Sequence, residues 1–122
     1  MQSFEKLEIW KESINLATEI YEITKKFPKN EAYGLTSQIQ RAAVSIPSNI
    51  AEGSSRQYKK EFINFLYISK GSLSELLTQL KISEKIRYIN KEQYEQLKTT
   101  IYNLIRKING LIKSLKTNEN LR

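Results

Sequence analysis

The sequence predicts an all-α fold, an up-and-down four-helix bundle in a single domain. Apolar residues recur at intervals of three and four along most of the chain, the spacing that places them on one face of an α-helix. Four glycines and two prolines in 122 residues leave little room for the many turns of a β-sandwich. One domain, residues 1–122, is the default for this length, and we expect residues 118–122 to form a frayed tail.

The first helix is predicted from about Phe4 to Lys26, and Pro28 stops it. Two adjacent apolar seams run along it, each with coiled-coil spacing. The first seam consists of Leu7, Trp10, Ile14, Ala17, Tyr21 and Thr24. The second consists of Ile9, Leu16, Ile20, Ile23 and Phe27. Together they form either one broad stripe facing the core, or one seam that faces the bundle and one that faces another subunit.

The second helix is predicted at about residues 31–53, within the stretch GLTSQIQRAAVSIPSNIAEGSSRQ, which has few bulky side chains. Its small residues are Ala42, Ala43, Ser45, Ser48 and Ala51. Neighbouring backbones can therefore approach closely here. Pro47 lacks an N–H and costs about 3 kcal/mol inside a helix, so either one continuous helix kinks at Pro47 or another helix begins there. Apolar spacing that continues through Pro47 to Ile50 favours the kinked continuous helix, which Gly53 then ends.

The third and fourth helices are predicted at about residues 57–87 and 91–116. The core positions of the third are Phe62, Leu66, Ser69, Leu73, Leu76, Leu77 and Leu80, and Phe65, Tyr67 and Ile68 widen its apolar face. Gly71 costs about 1 kcal/mol relative to alanine inside a helix. We therefore expect Gly71 to permit close packing against the second helix. The fourth helix has an unbroken pattern of Tyr94, Leu97, Ile101, Leu104, Ile108, Leu111 and Leu115.

The composition excludes most catalytic and metal-binding chemistry. The chain contains no histidine, cysteine or aspartate, and all 13 acidic residues are glutamate. Ser–His–Asp and Cys–His catalytic groups, disulfides, zinc–thiolate sites and histidine metal sites are therefore excluded. The glutamates alternate with lysines at helix-surface spacing, which is typical of a solvated face. We expect a protein that is not an enzyme and that needs no cofactor or metal.

The N-terminal segment MQSFEKLEIWKE mixes glutamate and lysine from its start, unlike a signal peptide. No apolar run approaches the roughly 20 residues that a membrane helix needs. We therefore expect a cytoplasmic protein with no membrane partner.

The positive charge is concentrated in the second half of the chain. The net charge is +7, of which residues 1–55 contribute −1 and residues 56–122 contribute +8. A basic half is typical of proteins that contact nucleic acid or another anionic surface. Lysine outnumbers arginine by 15 to five, so bidentate arginine contacts to phosphate are few.

The fourth helix carries a basic arc between Glu95 and Glu119, where no acid occurs. At about 100° per residue, four cations share one arc opposite the core, whereas Lys107 lies apart. The arc consists of Lys98, Arg106, Lys113 and Lys116, with Tyr102 inside it. Cations beside an exposed aromatic ring suit a phosphate backbone and a stacked base, although an ordinary solvated outer face is the alternative. A second cluster, Arg56, Lys59 and Lys60, opens the third helix.

The segment QIQRAAVSIPSNIAEG resembles the signature of a bacterial four-helix-bundle family, the 23S rRNA intervening-sequence proteins. FEKLEIWKESINLATEIY resembles the opening helix of that family, and EFINFLYISKGSLSELLTQL resembles its third. Gln40 and Ser48 stand where many relatives are expected to have arginine and alanine. The resemblance implies an up-and-down bundle, often a homopentamer, with no known activity. The family in turn resembles accessory proteins of diversity-generating retroelements, and this analogy implies RNA or DNA and a reverse-transcriptase-like partner.

Two hypotheses from different classes follow. In the first, the chain is a nucleic-acid-binding accessory protein that acts through shape and charge without reading bases. In the second, it is an oligomeric scaffold or protein-interaction module whose charge is incidental. The basic half favours the first hypothesis, and the doubled seam of the first helix favours the second.

Overall fold

The computed structural model describes residues 3–120, with side chains over residues 3–117. Its four α-helices are α1 (Glu8–Thr24), α2 (Leu35–Ser54), α3 (Lys59–Lys85) and α4 (Lys91–Asn120). Single turns of 3-10 helix, Phe4–Lys6 and Lys29–Glu31, precede α1 and α2. No strand occurs in the described part of the chain, and the predicted all-α four-helix bundle is confirmed.

The helices follow one another around the bundle in chain order. α1 packs against α2 and α4, and α3 also packs against α2 and α4. The pairs α1 with α3 and α2 with α4 therefore lie on the diagonals. This order places the outer surface between α1 and α2 opposite the outer surface between α3 and α4. No helix within residues 3–120 is both long enough and apolar enough to cross a membrane.

The core draws on one face of each helix. Its largest fully buried side chains are Leu16, Ile20, Ile39, Ile46, Ile50, Leu66, Leu73, Leu76, Leu80, Leu97, Ile101 and Leu104. In α1, the seam that contains Leu16 and Ile20 faces this core. The other seam is divided, because Ala17 and Thr24 are buried whereas Ile14 and Tyr21 are 38% and 44% exposed.

The helix limits differ from the predicted ones at several ends, and α2 begins at Leu35 rather than near residue 31. Leu7 is extended, so Phe4–Lys6 forms a separate turn and α1 begins at Glu8 rather than near Phe4. Tyr58 is also extended, so α3 begins at Lys59. α4 continues through Asn120, so residues 118–120, which we expected to fray, are helical. Residues 121–122 of that expected tail lie outside the described residues.

Two local capping motifs hold the turn between α3 and α4. Arg87 adopts the left-handed conformation with φ 70°, and the N–H of Tyr88 donates to the carbonyl of Ser83 at 2.8 Å. This is the pattern of a Schellman motif, with arginine where glycine is commonest. The side chains of Asn90 and Gln93 each accept a bond from the other residue's backbone N–H, at 2.7 and 2.9 Å respectively, and so form a capping box for α4.

Small residues bring α2 and α3 close together. The hydroxyls of Ser45 and Ser72 lie 2.8 Å apart, and Ser69 donates to the backbone carbonyl of Ile46 at 3.1 Å. A side-chain hydroxyl reaches a backbone carbonyl of the neighbouring helix only when the two helices are in close contact. The predicted close approach of a neighbouring backbone to α2 is therefore present, and α3 is the helix that makes it.

Gly53, rather than Gly71, is the glycine that this approach requires. A Cβ atom at Gly53 would lie 2.6 Å from the Cβ of Phe65 in α3. Gly53 is buried within α2, which ends one residue later, at Ser54, rather than at Gly53 as predicted. Gly71 is exposed, and a Cβ there would meet nothing within 4 Å. The packing role predicted for Gly71 is therefore wrong, because this residue faces away from α2.

α2 runs through Pro47 as one helix. Asn49, which could have capped a new helix, instead donates back to the carbonyl and the hydroxyl of Ser45, at 2.8 and 2.9 Å. Pro47 itself is buried. The continuous helix is therefore confirmed over a second helix start, and the bend at Pro47 stays a prediction.

Replacing Gly53 by alanine should lower the free energy of unfolding by about 1–3 kcal/mol, the usual cost of overpacking a close contact. Gly71→Ala is the matched control and should raise it by up to about 1 kcal/mol, because the new methyl group meets open space in a helix interior. Urea denaturation followed by circular dichroism measures both values. Equal effects of the two substitutions would contradict the assignment of the close contact to Gly53.

Candidate nucleic-acid interface

The predicted basic arc of α4 lies on the outside of the bundle. Arg106, Lys113 and Lys116 are exposed, whereas Lys98 is half-buried. Tyr102 is 52% exposed. The opposite side of α4 is buried in the core, so the helical period places the arc where a ligand can reach it.

Lys107, which the sequence set apart from the arc, has a structural contact. Its Nζ lies 2.6 Å from Oε2 of Glu12 in α1. Both side chains are partly shielded from solvent, with 46% and 28% of their surface accessible. This ion pair joins α4 to α1 across 95 residues of sequence. Lys107 is therefore directed away from the arc.

Tyr67 of α3 belongs with the arc, although the sequence pattern did not indicate it as a candidate. Lys116 Nζ donates to the phenolic oxygen of Tyr67 at 3.0 Å, and Lys70 Nζ lies 5.4 Å from the centre of the ring. Tyr67 is 45% exposed, so it does not complete the apolar face to which we had assigned it. The hydrogen bond from Lys116 lowers the pKa of Tyr67, and the charges of Lys116 and Lys70 lower it further.

Of the two cations that contact Tyr67, only Lys70 could be predicted from the sequence. Tyr67 and Lys70 are three residues apart, a spacing that makes them neighbours on a helix. Lys116 is 49 residues from Tyr67, and no local pattern connects the two. We call the outer surface formed by Tyr67 and Lys70 of α3 with the arc of α4 the α3–α4 face. Its residues are Tyr67, Lys70, Lys98, Tyr102, Arg106, Lys113 and Lys116.

The end of this face near the α3–α4 turn is electrostatically mixed. Lys98 Nζ lies 6.0 Å from the ring centre of Tyr94, and Lys81 Nζ lies 4.7 Å from the same centre. Lys81 also contacts Glu84 at 3.0 Å, and the hydrogen bond to this carboxylate raises the pKa of Lys81. Glu95 contributes to the same rise in pKa. The positive potential of the face should therefore be strongest at its other end, around Tyr67.

The second predicted cluster, at the start of α3, is only partly free to contact a ligand. Arg56 contacts Glu52 at 2.8 Å, and its guanidinium lies 5.0 Å from the ring centre of Phe65. Lys59 is half-buried and Lys60 is exposed. Because α3 and α4 are antiparallel, this cluster lies at the end of the bundle where α4 finishes. The fold therefore brings the start of α3 and the basic end of α4 to the same end.

An apolar groove lies on the opposite side of the bundle, between α1 and α2. Its volume is about 560 Å³. The residues that line it are Trp10, Ile14, Ala17, Thr18, Tyr21, Val44, Pro47, Ser48 and Ala51. The exposed seam of α1 forms one wall, and the flank of α2 that includes Pro47 forms the other. This groove is a surface for apolar contact rather than for a charged ligand.

The chemistry offered by the α3–α4 face is attraction of anions and stacking on phenol rings. Lysine and arginine side chains contact phosphates, and exposed tyrosine rings accept stacked bases. Over residues 3–117, whose side chains the structure describes, no three acidic side chains gather in a way that could hold a metal ion. The arrangement therefore suits a binding surface.

Comparisons with known proteins bear on the resemblance noted in the sequence. The family described as 23S rRNA-intervening sequence protein matches residues 5–110. The fold is similar to the crystal structure of a protein of unknown function from the S23 ribosomal protein family of Bacteroides thetaiotaomicron. The two chains are 26% identical with a TM-score of 0.80, and the match covers 86% of this chain and 95% of the other. No curated protein matches the chain.

The contact between Lys116 and Tyr67 predicts a measurable shift. Lys116→Gln should raise the pKa of Tyr67 towards its usual value, because a neutral amide no longer stabilises the phenolate. Lys113→Gln removes the same formal charge one turn away and is expected to have a smaller effect. NMR titration of isotope-labelled tyrosine rings measures both. An equal rise in the two variants would show that general charge, rather than the hydrogen bond, lowers this pKa.

Proposed function

The chain belongs to the 23S rRNA-intervening sequence protein family, and from this premise we propose that it is a non-catalytic, homo-oligomeric protein that binds nucleic acid through its α3–α4 face. The observation that carries the proposal is the meeting of cations from two helices around an exposed ring. Lys70 and Lys116 both lie within 5.5 Å of the ring centre of Tyr67. Exposure to solvent would not by itself bring these two cations together, because like charges repel one another.

Binding of this kind is independent of base sequence. Lysine is a point charge that contacts phosphates, and such contacts position a protein without reading bases. Three of the four cations in the α4 arc are lysines. The affinity should therefore depend steeply on salt, since each neutralised phosphate releases counterions.

The α1–α2 groove supports self-association. Its exposed apolar side chains, Ile14, Tyr21 and Val44, would lose contact with water against a second copy. α3 and the residue that follows it offer a second apolar surface, with Ile68, Ile82 and Ile86 each about half exposed. Contact between two different surfaces is heterologous, and repeating it closes a ring when the rotation fits. A ring agrees with the homopentamer that the family resemblance implies.

A ring would also strengthen nucleic-acid binding. The α3–α4 face lies opposite the groove, and Tyr67 turns towards α4, about 100° around α3 from Ile68. Each subunit would therefore present one α3–α4 face. Several weak contacts to one nucleic acid would then add through avidity.

The alternative function is that of a scaffold without a nucleic-acid role. The observation that favours it is that several cations of the basic half have internal partners: Lys107 bonds to Glu12, Arg56 to Glu52, and Lys81 to Glu84. A cation that is paired with a glutamate of the same chain needs no external ligand to balance its charge. The ultraviolet absorbance ratio of the purified protein, with and without nuclease treatment, distinguishes the two functions.

Neutralising the α4 arc should weaken nucleic-acid binding without unfolding the bundle. The test variant carries Lys98→Gln, Arg106→Gln, Lys113→Gln and Lys116→Gln. We expect the slope of log affinity against log salt to flatten by about one unit for each lost phosphate contact. Fluorescence anisotropy with a labelled oligonucleotide over a range of salt concentrations measures this slope.

The matched control removes four other exposed lysines, on or next to α1. It carries Lys6→Gln, Lys11→Gln, Lys25→Gln and Lys26→Gln, so both variants have the same net charge. The control should bind almost as the parent does. Equal losses would attribute binding to net charge alone, and unchanged binding in the test variant would place the site elsewhere, with Arg56, Lys59 and Lys60 the next cluster to test. If the parent protein binds no nucleic acid at low salt, the scaffold function is the one that remains.

A charge placed in the groove should dissociate the oligomer. Ile14→Glu puts a carboxylate among the apolar side chains of the groove, where burial against another copy would be costly. We expect the mass in solution to fall to that of the 14.3 kDa chain, measured by light scattering after gel filtration. Emission of Trp10, the only tryptophan, should shift to longer wavelength because it lines the groove. A parent that is itself monomeric would refute self-association.

Mixing two defective variants tests whether the contact is heterologous. Ile82→Glu should also dissociate the ring, because it alters the apolar surface of α3. Each variant retains one intact surface, so a mixture of Ile14→Glu with Ile82→Glu should form one-to-one dimers. Two variants that remain monomers when mixed would indicate that the contact does not join the groove to α3.

A further inference from the structure

Two exposed tyrosines mark the α3–α4 face, one on each helix. Tyr67 is 45% and Tyr102 is 52% exposed, although burial of a large aromatic side chain is favourable. The ring of Tyr102 does not pack in the core, since it lies on the outer side of α4. Each ring therefore presents aromatic surface to solvent at a place where the bundle does not need it.

Two cations contact the ring of Tyr67, and Tyr102 lies between two basic residues on the surface of α4. Lys70 and Lys116 lie 5.4 and 5.5 Å from the ring centre of Tyr67, both towards the outer limit for a cation–π contact. Tyr102 has Lys98 four residues before it and Arg106 four residues after it, the spacing of neighbours on one helix flank. Cations thus accompany both rings of this face, through direct contact at Tyr67 and through helix spacing at Tyr102.

The two rings lie at different heights along the bundle. Tyr102 and Lys116 are separated by about 21 Å along α4, and Lys116 is the residue that reaches Tyr67. Tyr67 is thus displaced from Tyr102 towards the C-terminal end of α4. A ligand that contacts both rings must extend along the helices, with its charge distributed over its length.

A duplex could contact the cations of this face but not its rings. Its bases are stacked on one another inside the helix, so their faces are unavailable to a tyrosine ring, and only the phosphates meet the lysines. A single strand presents phosphates and free base faces together, and stacking on an aromatic side chain stabilises each base that contacts one. From the paired arrangement of rings and cations we infer that the α3–α4 face binds single-stranded nucleic acid, with Tyr67 and Tyr102 as stacking platforms. This inference rests on the proposed nucleic-acid function and specifies its ligand.

The test compares a fluorescein-labelled single strand of mixed sequence with the duplex that it forms with its complement. Fluorescence anisotropy at low salt gives the affinity of the parent, of Tyr67→Leu, of Tyr102→Leu and of the double variant. We expect each substitution to lower the affinity for the single strand at least about fivefold, the lower end of the effect of losing one stacked base. Affinity for the duplex should change less than about twofold, because its phosphates still meet the same cations.

Two further variants separate stacking from other effects. Tyr67→Phe retains the ring without the hydroxyl that bonds to Lys116, and it should bind the single strand as the parent does. Tyr33→Leu is the matched control. Tyr33 is fully exposed, and it precedes α2 at the end of the bundle away from Tyr67. It should bind both probes unchanged. Circular dichroism confirms that each variant is folded.

The outcomes distinguish this inference from the function on which it rests. A parent that binds neither probe at low salt overturns the proposed nucleic-acid function. A parent that binds, together with a double tyrosine variant that keeps its affinity for the single strand, overturns the single-strand inference alone. Equal losses on the single strand and the duplex also overturn it, because they would show that the rings do not contact free bases.

Discussion

The close approach of α2 and α3 is the constraint on which the rest of this bundle depends. Gly53 leaves no room for a Cβ beside Phe65, and Ser69 reaches the carbonyl of Ile46. Once α2 turns this small-residue side towards α3, its opposite flank, with Val44 and Pro47, must lie beside α1. The apolar groove between α1 and α2 is thus a geometric consequence of the α2–α3 contact, because one helix cannot present the same side chains in two directions.

The chain-order arrangement of the helices keeps apolar and basic surfaces apart. The groove between α1 and α2 and the α3–α4 face lie on opposite sides, since α1 and α3 occupy one diagonal and α2 and α4 the other. A second copy seated in the groove would therefore leave the basic face of the same subunit accessible. This separation makes self-association and binding of an anionic polymer compatible in one small protein, whereas overlapping surfaces would force them to compete.

The structure divides the cations of the second half into two groups. Lys107 is joined to Glu12, a pair that links α4 to α1, and Arg56 is joined to Glu52, four residues before it near the end of α2. Exposed pairs of this kind contribute little to stability individually, about 0–1 kcal/mol. Lys70 and Lys116 instead meet the ring of Tyr67. Net charge alone could not separate these groups, because it counts every cation equally.

The sequence by itself determined the four helices, the core face of α4 and the outward direction of the α4 arc, because all of these follow from local spacing along a helix of known period. It could not decide whether Gly53 or Gly71 makes the close contact, because both are small and only the position of α3 against α2 distinguishes them. Nor could it assign Lys107 to Glu12 or Lys116 to Tyr67, pairs separated by 95 and 49 residues. Such contacts depend on the register and order of the packed helices, and these are set by the whole core rather than by any one segment.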